Sequence, residues 1–537
     1  MKRKVLLNDV ALRESAQVAG GAMPPDAQIR YVEYLVRNGI DIIEIGFPAS
    51  SQDELSKCQR IVQFVKSMDV ASRPVLSGLA RAVKNDISAV KQSGCDMVHI
   101  YIPASNQLMM TQFDAEKYGD TPEGKRQWML NQAVSMVKYA KELGFAHIQY
   151  SPEDAARTGR EFLCQIVEAV IDAGATSVNI PDTTGLCILG EFGDLINYIF
   201  ANVPNIKKAR IACHCHNDSD AGTANALQAI VNGADEVHGT FYGLGERSGM
   251  TKFESVIMNI QTRRDIFADI EIGFDSIASV EIVDFVAASL GMPIPRHWVV
   301  VGKQNSICSS GTHQSIEAKA RKKGDLSPYY GWDPALYGHG QVETVLTQFS
   351  GKAGLSERLG ELGFNVSKEQ LEIISNEVNQ ISMGKGGSLN DREITAITEE
   401  VIKEVPFFMN VERCTAIGGK GTVPSAAMTV VSQGRKSEKI YLGNGPISAL
   451  FDAVVAAANE LYPELNKVVV TLEDWRPIAI TVGSDALGDV YVRIKAVNQK
   501  TGLVSFYSSR SVDCDTNQAS AQAFANSMSW LVSSLKS

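Results

Sequence analysis

The sequence has no surplus of positive charge and no long apolar run, and each absence excludes a class of function. Its 51 lysine and arginine residues are outnumbered by 61 aspartate and glutamate residues, which gives a net charge of −10. Nucleic-acid binding needs a basic surface that neutralises phosphates, so we expect no nucleic-acid partner. No stretch approaches the ~20 apolar residues that span a membrane, and the apolar run near the N-terminus is too short for a signal peptide. We therefore expect a cytoplasmic protein without a membrane partner.

Cysteine is present without a pattern. The nine cysteines are scattered, and no two of them have C-x-x-C spacing. This argues against a disulfide scaffold and predicts reduced thiols in a cytoplasmic protein. The composition, 45% hydrophobic and 21% charged over 537 residues, is typical of a soluble globular protein, and the length predicts roughly two to four domains.

Short apolar runs alternate with helical patterns from residue 4 to about residue 265. Glycines such as Gly39, Gly94 and Gly174 stand where helix C-caps are expected. Eight strand–helix units in this length predict an α/β fold with a (β/α)₈ TIM barrel. A doubly wound open sheet is the alternative, because periodicity does not distinguish closed from open sheets. The predicted strands are 5–12, 40–47, 74–79, 97–103, 146–151, 177–181, 209–216 and 236–242.

Polar residues follow these predicted strands. In a TIM barrel the carboxyl ends of the strands form the mouth where chemistry takes place. We therefore expect an acid, base and metal-ligand set to converge at one mouth. Its members are Asp9, Arg13, Glu14, Glu44, His99, Ser105, Glu153, Asp154, Asp182, Thr183, Thr184, His214, His216, Asn217, Asp218, Glu246 and Arg247.

Two of only eight histidines stand at spacing two, in the segment I-A-C-H-C-H-N-D over residues 211–218. Residues i and i+2 of a strand point to the same face, so His214 and His216 share one side. Two neighbouring imidazoles are what a divalent metal takes as two of its ligands. Alone, such a pair marks a metal site about one time in three, and the other motifs of the chain raise that fraction.

A series of motifs along the chain resembles one enzyme family. They are D-V-A-L-R-E-S-A-Q (9–17), E-I-G-F-P (44–48), N-I-P-D-T-T-G (179–185), H-C-H-N-D (214–218) and G-L-G-E-R-S-G (243–249). In this order they are similar to the 2-isopropylmalate synthase family, metal-dependent barrel enzymes that act on acyl-CoA and 2-oxo acids. The resemblance continues through S-G-T-H-Q (310–314), G-N-G-P (443–446) and V-G-S-D-A-L-G-D-V (482–490), and so covers nearly the whole chain.

The resemblance implies a Claisen condensation, in which acetyl-CoA loses a methyl proton, adds to the ketone of a 2-oxo acid, and is then hydrolysed at the thioester. Such a reaction needs a base for a weakly acidic proton and a cation that stabilises the new alkoxide. Asp9, His214 and His216 are the predicted ligands of a divalent ion, and Zn²⁺, Mn²⁺ and Mg²⁺ all suit this set. Activation by a monovalent cation such as K⁺ is also expected.

The family pattern also assigns roles to single residues. It implies the catalytic residues Arg13, Glu153, His313 and Tyr329, with Tyr330 as a competing assignment for the tyrosine. It implies the substrate-binding residues His99, Ser105, Thr183, Glu44 and Glu246. Since His313 and Tyr329 lie beyond the predicted barrel, we expect the linker to help complete the site.

Three motifs depart from the family's usual pattern. The usual D-T-T-L-R-D-G is here D-V-A-L-R-E-S, and the usual H-Q-D is here H-Q-S, with Ser315. The usual G-E-R-x-G-N is here G-E-R-S-G-M, which puts Met250 where an asparagine stands near the metal. A thioether is a poor ligand for a hard cation, so we expect that contact to be lost or taken by water. These departures leave open which 2-oxo acid is the substrate and whether the chain is a divergent paralogue.

Three domains are predicted: the barrel over residues 1–270, helical linker subdomains over 271–405 and an α+β domain over 406–537. In the last domain, strand patterns begin at residue 429 and continue at 439–442, 468–472, 478–482 and 490–496, with helices at 447–461 and 518–535. A separate domain of this kind is a binding module by default, and the resemblance implies that it senses leucine. A dimerisation domain without an effector is the alternative. The candidate regulatory residues, in two glycine-rich turns, are Gly443, Gly445, Gly483 and Asp485.

The implied function is the synthesis of 2-isopropylmalate from acetyl-CoA and 2-oxoisovalerate, in leucine biosynthesis, by a homodimer that leucine inhibits. A citramalate or homocitrate synthase, or a lyase or aldolase on the same barrel, is an alternative, although the long C-terminal region argues against the short lyases. A catalytically silent, effector-binding homologue is a third interpretation. The presence of Asp9, Arg13, His214 and His216 argues against it.

Overall fold

The computed structural model divides the chain into two units, which we describe separately. Residues 1–307 with 330–342 form the first unit, and residues 308–329 with 343–537 form the second. The structure describes residues 2–114, 116–188, 190–308, 310, 313, 316–317, 319–320, 323, 329–340, 343–344, 352–385, 389, 391–402, 408–479 and 488–536.

Eight parallel strands close into a barrel in the first unit. Each strand pairs with the next, and the last pairs with the first, so that Asp9 lies opposite both Ile43 and Gly239. The strands are short and largely buried on both faces, as parallel strands covered by helices are. This confirms the predicted TIM barrel and excludes the open sheet. The strands are β1 Leu6–Asp9, β2 Ile42–Glu44, β3 Val75–Arg81, β4 Met97–Pro103, β5 His147–Glu153, β6 Ser177–Asp182, β7 Arg210–Cys215 and β8 Glu236–Gly239.

Helices alternate with these strands. Their ends follow local sequence signals: Ser51 caps the third helix by accepting a hydrogen bond from the Glu54 amide, and Gly94 and Gly174 end two others in the left-handed conformation. None of the described helices is both long and apolar enough to cross a lipid bilayer. The helices are α1 Ala11–Glu14, α2 Pro25–Arg37, α3 Gln52–Ser67, α4 Lys84–Ser93, α5 Asn106–Gln112, α6 Pro122–Glu142, α7 Arg160–Ala173, α8 Glu191–Asn202, α9 Gly222–Val231, α10 Phe253–Thr262 and α11 Ser279–Leu290.

The interior of the barrel is polar. Gln149 on β5 donates a hydrogen bond to Glu236 on β8, and these strands are not adjacent in the sheet, so the contact crosses the barrel interior. Asn8 on β1 donates to the same carboxylate. TIM barrels are usually filled by layers of branched aliphatic side chains, so this lumen departs from the common pattern. We refer to Asn8, Gln149, Ser177, Glu236 and His238, all fully buried, as the lumen cluster.

Three helices of the second unit form a small core of their own, in a region where the sequence predicted helices. Leu355, Leu359, Ile374 and Val378 pack together in this core with residues of the third helix. The helices are α12 Lys352–Glu361, α13 Lys368–Lys385 and α14 Asp391–Ile402.

The C-terminal region repeats one pattern twice, three antiparallel strands followed by a helix. The two helices confirm the predictions at 447–461 and 518–535. The first and last strands were not predicted, because few of their residues are buried and the last is rich in serine. The patterns at 468–472 and 478–482 belong to one strand that runs to Ala479. The elements are β9 Met409–Ile417, β10 Ser425–Ser432, β11 Arg435–Leu442, α15 Pro446–Leu461, β12 Val468–Ala479, β13 Gly488–Asn498, β14 Val504–Asp513 and α16 Thr516–Lys536.

Candidate active site

Three side chains that could ligate a metal converge at the carboxyl end of the barrel strands. His214 lies on β7, His216 follows the end of that strand, and Glu14 ends the single turn α1 after β1. The Nε2 atom of His214 lies 3.4 Å from Nε2 of His216 and 3.4 Å from Oε1 of Glu14. All three residues are buried, and their ligating atoms lie within 4.8 Å of one another. One carboxylate and two imidazoles in this arrangement suit a divalent cation.

The electrostatics of these three side chains also fit a cation. Burial lowers the pKa of His214 well below its usual value, and the neighbouring His216 lowers it further. Burial likewise lowers the pKa of His216, although the carboxylate of Glu14 opposes this. Both imidazoles are therefore neutral and have a lone pair for a metal. In the described part of the chain, the buried Oε2 of Glu14 has no hydrogen-bond partner. A buried carboxylate oxygen without a partner is costly, and a bound cation would remove that cost.

Asp9, the predicted third ligand, lies outside this group. Its carboxylate accepts hydrogen bonds from the Tyr31 hydroxyl at 2.7 Å and from the Ala11 amide at 3.1 Å. Burial raises the pKa of Asp9 to about 7, even though both hydrogen bonds lower it. The carboxylate that the structure brings to the two histidines is instead Glu14, five residues later in the same motif. Strand periodicity did not predict this, because it gave no sign that the chain turns into a helix directly after Val10.

Met250 lies next to the metal-ligand group, as its place in the motif predicted. It is fully buried and forms an isolated antiparallel bridge with His216. Its soft thioether is a weak ligand for hard divalent cations. Met250 therefore packs beside this group and is not one of its candidate ligands.

Arg13 lies between two carboxylates. Its Nε donates to Glu44 at 2.7 Å, and its Nη1 donates to Glu14. Burial lowers the pKa of Arg13, but the two carboxylates outweigh burial, so its pKa is raised and the guanidinium stays charged. Burial raises the pKa of Glu44, but Arg13 and then His99 outweigh burial and lower it. Glu44 in turn contacts Nδ1 of His99 at 2.5 Å, and Nε2 of His99 contacts the Ser151 hydroxyl at 2.6 Å.

A second acidic group lies at the end of β5. Burial raises the pKa of Glu153, and its neighbour Asp154 raises it further, so Glu153 is a stronger base than an exposed carboxylate. Asp154 is fully buried and accepts a hydrogen bond from the Ser105 hydroxyl at 2.5 Å. The Asp154 amide donates to the Thr183 hydroxyl at 3.0 Å. Ser105, predicted to bind substrate, thus holds Asp154, and it also caps α5 by accepting from the Leu108 amide.

One pocket opens over these groups. Seven of the predicted residues line it: Arg13, His99, Glu153, Thr183, His214, His216 and Glu246. Glu246 stands at its exposed rim and pairs with Arg247 at 3.1 Å. Glu44, Ser105 and Asp9 are buried and do not line the pocket.

The sequence interpretation missed several residues of this pocket. They are Gln17, Leu79, Tyr101, Ser151, Asn179 and Pro181, and Glu14 was named only as a strand-end residue. A signal for most of them was present, because alternate residues of a strand face the same side. Tyr101 lies two residues after His99, and Ser151 lies two residues before Glu153. Asn179 and Pro181 stand in the same alternation with Thr183.

His313 and Tyr329, predicted to act from outside the barrel, belong to the second unit. Their rings stack, with centroids 3.9 Å apart and an angle of 23° between the planes. Both side chains are exposed. The competing Tyr330 falls in the first unit. The structure therefore brings the predicted histidine and the first-choice tyrosine together within one unit.

Two of the four predicted regulatory residues form the turn into α15. A Cβ on Gly443 would lie 2.6 Å from the amide nitrogen of Ala449, so this turn requires glycine there. Gly445 is the N-cap of α15, and within the described part of the chain no side chain caps the helix. Pro446 at the first helical position has no N–H, so the amides that follow it in the first turn are the ones available for an anionic group such as a carboxylate. Gly483 and Asp485 lie outside the described residues.

Comparison with known proteins matches two regions of the chain to family models, one over the barrel and one over the C-terminal region. Residues 4–285 match the family model described as HMGL-like, and residues 388–532 match the LeuA allosteric (dimerisation) domain. The chain is similar to a 2-isopropylmalate synthase of Dictyoglomus turgidum, 33% identical over 533 residues that cover 98% of each chain. It is also 31% identical to one of Pelotomaculum thermopropionicum, over 539 residues and 99% of each chain. A third, of Pyrococcus furiosus, is 32% identical over 533 residues, covering 98% of this chain and 99% of that relative.

Proposed function

Because the chain belongs to the HMGL-like enzymes and, among them, to the 2-isopropylmalate synthase family, we propose that it is an acyltransferase of leucine biosynthesis. It condenses acetyl-CoA with 2-oxoisovalerate and releases 2-isopropylmalate and CoA. The observation that carries this proposal is the buried Glu14, His214 and His216 group, which lines one pocket with Arg13. A metal site beside a fixed cation is what the binding of a 2-oxo acid and the stabilisation of an alkoxide require.

We propose that Glu14, His214 and His216 hold the divalent ion of this metal-dependent family. The mixed oxygen and nitrogen donors suit Zn²⁺, Mn²⁺ or Mg²⁺, and K⁺ is proposed as an additional activator. When bound, the ion acts as a Lewis acid on the 2-oxo acid and orients it. Asp9, whose carboxylate accepts hydrogen bonds from Tyr31 and the Ala11 amide, is not part of this proposed ligand set.

The remaining residues divide the work of proton transfer and orientation. Arg13, held by Glu44 and Glu14, presents a permanent positive charge to the alkoxide that forms. Glu153, with its raised pKa, assists removal of the methyl proton of acetyl-CoA. Thr183, His99 and Glu246 bind the 2-oxo acid. His313 and Tyr329, to which the family pattern assigns proton transfer, stack on each other within the second unit.

A substrate panel tests this function. With acetyl-CoA and 2-oxoisovalerate, the purified metal-loaded protein is expected to release CoA, measured as free thiol. The variant His214→Ala serves as the control and should release none, since it lacks a metal ligand. Activity with pyruvate but not 2-oxoisovalerate would make the protein a citramalate synthase. Silence with every 2-oxo acid would favour the effector-binding homologue.

We also propose that leucine, or a related branched amino acid, binds the C-terminal domain of a homodimer. The match to an allosteric (dimerisation) domain supports this, as does the uncapped start of α15 after Gly445. Free amides at a helix N-terminus attract the carboxylate of an amino acid. An effector at a second site lowers turnover only if it binds two states of the enzyme with different affinity.

Leucine is expected to lower turnover without competing with the 2-oxo acid. Allosteric coupling of about 1–3 kcal/mol corresponds to several-fold up to roughly hundredfold inhibition. Gly445→Val should abolish leucine binding in calorimetry. The valine side chain would fill the open space beside the turn, where the proposal places the leucine carboxylate, and valine accepts the extended backbone conformation of this residue. Lys436→Val, an exposed change in the same domain, should leave inhibition intact. Leucine that neither binds the wild-type protein nor changes its kinetics would disprove the assignment.

A further inference from the structure

His238 connects the metal-ligand group to the lumen cluster beneath it. This histidine lies on β8 and is fully buried. Its Nδ1 atom lies 3.4 Å from Nδ1 of His214, the atom of that ligand that points away from His216 and Glu14. Its Nε2 atom lies 3.2 Å from Oε1 of Glu236. A continuous row of polar atoms thus runs from the metal-ligand group down into the barrel.

Glu236 is a fixed anion at the lower end of this row. Its Oε1 accepts hydrogen bonds from Asn8 at 2.9 Å and from Gln149 at 2.7 Å. Its Oε2 accepts from Ser177 at 3.3 Å and from Arg210 at 3.4 Å. Burial raises the pKa of Glu236, but the hydrogen bond with His238 and nearby charges outweigh burial and lower it to about 2. The carboxylate is therefore an acceptor only, and each group facing it donates.

The contacts of His238 indicate where its hydrogen lies. Nε2 of His238 faces Oε1 of Glu236, which only accepts, and Nδ2 of Asn8 at 3.1 Å, which donates to the same Oε1. We therefore infer that the hydrogen of neutral His238 is on Nε2, which leaves a lone pair on Nδ1. That lone pair faces Nδ1 of His214, which must then carry the hydrogen. The remaining nitrogen of His214, Nε2, is left as a lone pair directed at His216 and Glu14. A neutral histidine in this tautomer is ready to ligate through Nε2.

We propose that His238, anchored by Glu236, is a positioning residue for the metal site, which holds His214 in the tautomer and orientation that bind the ion. This proposal rests on the proposed metal site. Ligating histidines commonly donate their second ring hydrogen to a carboxylate, carbonyl or water. Here His238 lies between the ligand His214 and the carboxylate of Glu236, so the carboxylate contacts the ligand only through the ring of His238.

The second proposed ligand, His216, lacks the hydrogen-bonded anchor that His238 provides for His214. Its Nδ1 atom is buried and has no hydrogen-bond partner among the described residues. The orientation of His216 is therefore fixed by packing and by the bridge to Met250. Among the described residues, only His214 of the two imidazoles has a hydrogen-bonded anchor, so we expect loss of His238 to weaken metal binding through His214.

Metal affinity of the apo full-length protein tests this role apart from catalysis. Zinc binding is titrated by calorimetry, and the visible spectrum of the Co²⁺-loaded protein reports ligand geometry. His238→Met keeps the volume but removes the acceptor, and we expect affinity to fall by about 10–100-fold. His238→Asn places an amide oxygen near the Nδ1 position, and it should restore most of that loss. Ser77→Ala is the matched control, because Ser77 is buried and its hydroxyl has no partner in the described residues.

The outcomes separate this proposal from the metal site itself. Unchanged zinc affinity and an unchanged cobalt spectrum in folded His238→Met would overturn the positioning role. If His238→Met does not fold, Glu236→Gln decides: it keeps the shape but removes the anion, so affinity should fall severalfold, and wild-type affinity would overturn the proposal. His214→Ala must lose zinc binding in either case. If it does not, the proposed metal site is wrong, whatever His238 does.

Discussion

Glu14→Gln is expected to leave a folded protein that retains little divalent metal and turns over at least about 10²–10³-fold more slowly. The reason is that Glu14 is the single carboxylate that reaches His214 and His216 in the described structure. The glutamine amide cannot supply the negative charge of the Glu14 carboxylate. The metal ion that Glu14 would hold stabilises the transition state, as a Lewis acid, by several kcal/mol. Metal content after dialysis and thiol release in the presence of acetyl-CoA and 2-oxoisovalerate measure the two effects.

Asp9→Asn is the matched control for Glu14→Gln, because Asp9 comes from the same motif and was the ligand that the sequence predicted. Burial raises the pKa of Asp9 to about 7, so a neutral amide replaces a carboxyl group that is already partly neutral at physiological pH. The amide can keep a hydrogen bond to Tyr31 or to the Ala11 amide. We expect Asp9→Asn to retain metal and most turnover. The opposite result, metal lost in Asp9→Asn and kept in Glu14→Gln, would return Asp9 to the ligand set.

Arg13→Lys is expected to lower kcat by about 10²–10³, the usual effect of removing one donor to a developing oxyanion. Lysine keeps the positive charge beside Glu44 and Glu14 but not the planar fork that contacts both. KM for the 2-oxo acid should change less than kcat, because the charge on the substrate develops mainly in the transition state. Steady-state kinetics with acetyl-CoA in excess measure both constants.

Arg13→Met separates the catalytic effect from a structural one. It leaves two buried carboxylates without their cation, which costs about 3–5 kcal/mol of the free energy of unfolding. We therefore expect Arg13→Met to lose stability as well as activity, while Arg13→Lys melts close to the wild type. Arg263→Lys makes the same exchange in an exposed pair with Asp265 and should affect neither. An Arg13→Lys enzyme with wild-type kcat would remove Arg13 from the mechanism.

The barrel could be predicted from the sequence because it depends on repeated local signals. The unit of an apolar strand and an amphipathic helix recurs eight times, glycines such as Gly94 and Gly174 end some of the helices, and each strand was placed within a few residues of its observed bounds. The lumen could not be predicted in this way. Asn8, Gln149 and Glu236 come from strands far apart in the sequence, and only closure of the barrel brings them together.

The site was predicted to different extents for different residues. His214 and His216 were found because strand periodicity places both on one face, and the structure brings their Nε2 atoms to 3.4 Å. Glu14 was missed as a ligand because its position depends on the short helix α1, a turn that no periodicity marks. His238 was missed because it looked like one more alternating residue of β8, and its importance depends on Glu236 and His214 at either side.

The polar lumen also limits which amino-acid substitutions the barrel interior can tolerate. In an aliphatic interior, one branched residue can replace another of similar volume for less than about 1.5 kcal/mol. Here a single carboxylate, Glu236, is shared by Asn8, Gln149 and His238, so losing it leaves several buried donors unpaired, at about 1–3 kcal/mol each. The effects of substitutions within such a network do not add. We therefore expect a substitution in the lumen to be tolerated mainly when a second strand carries a compensating replacement.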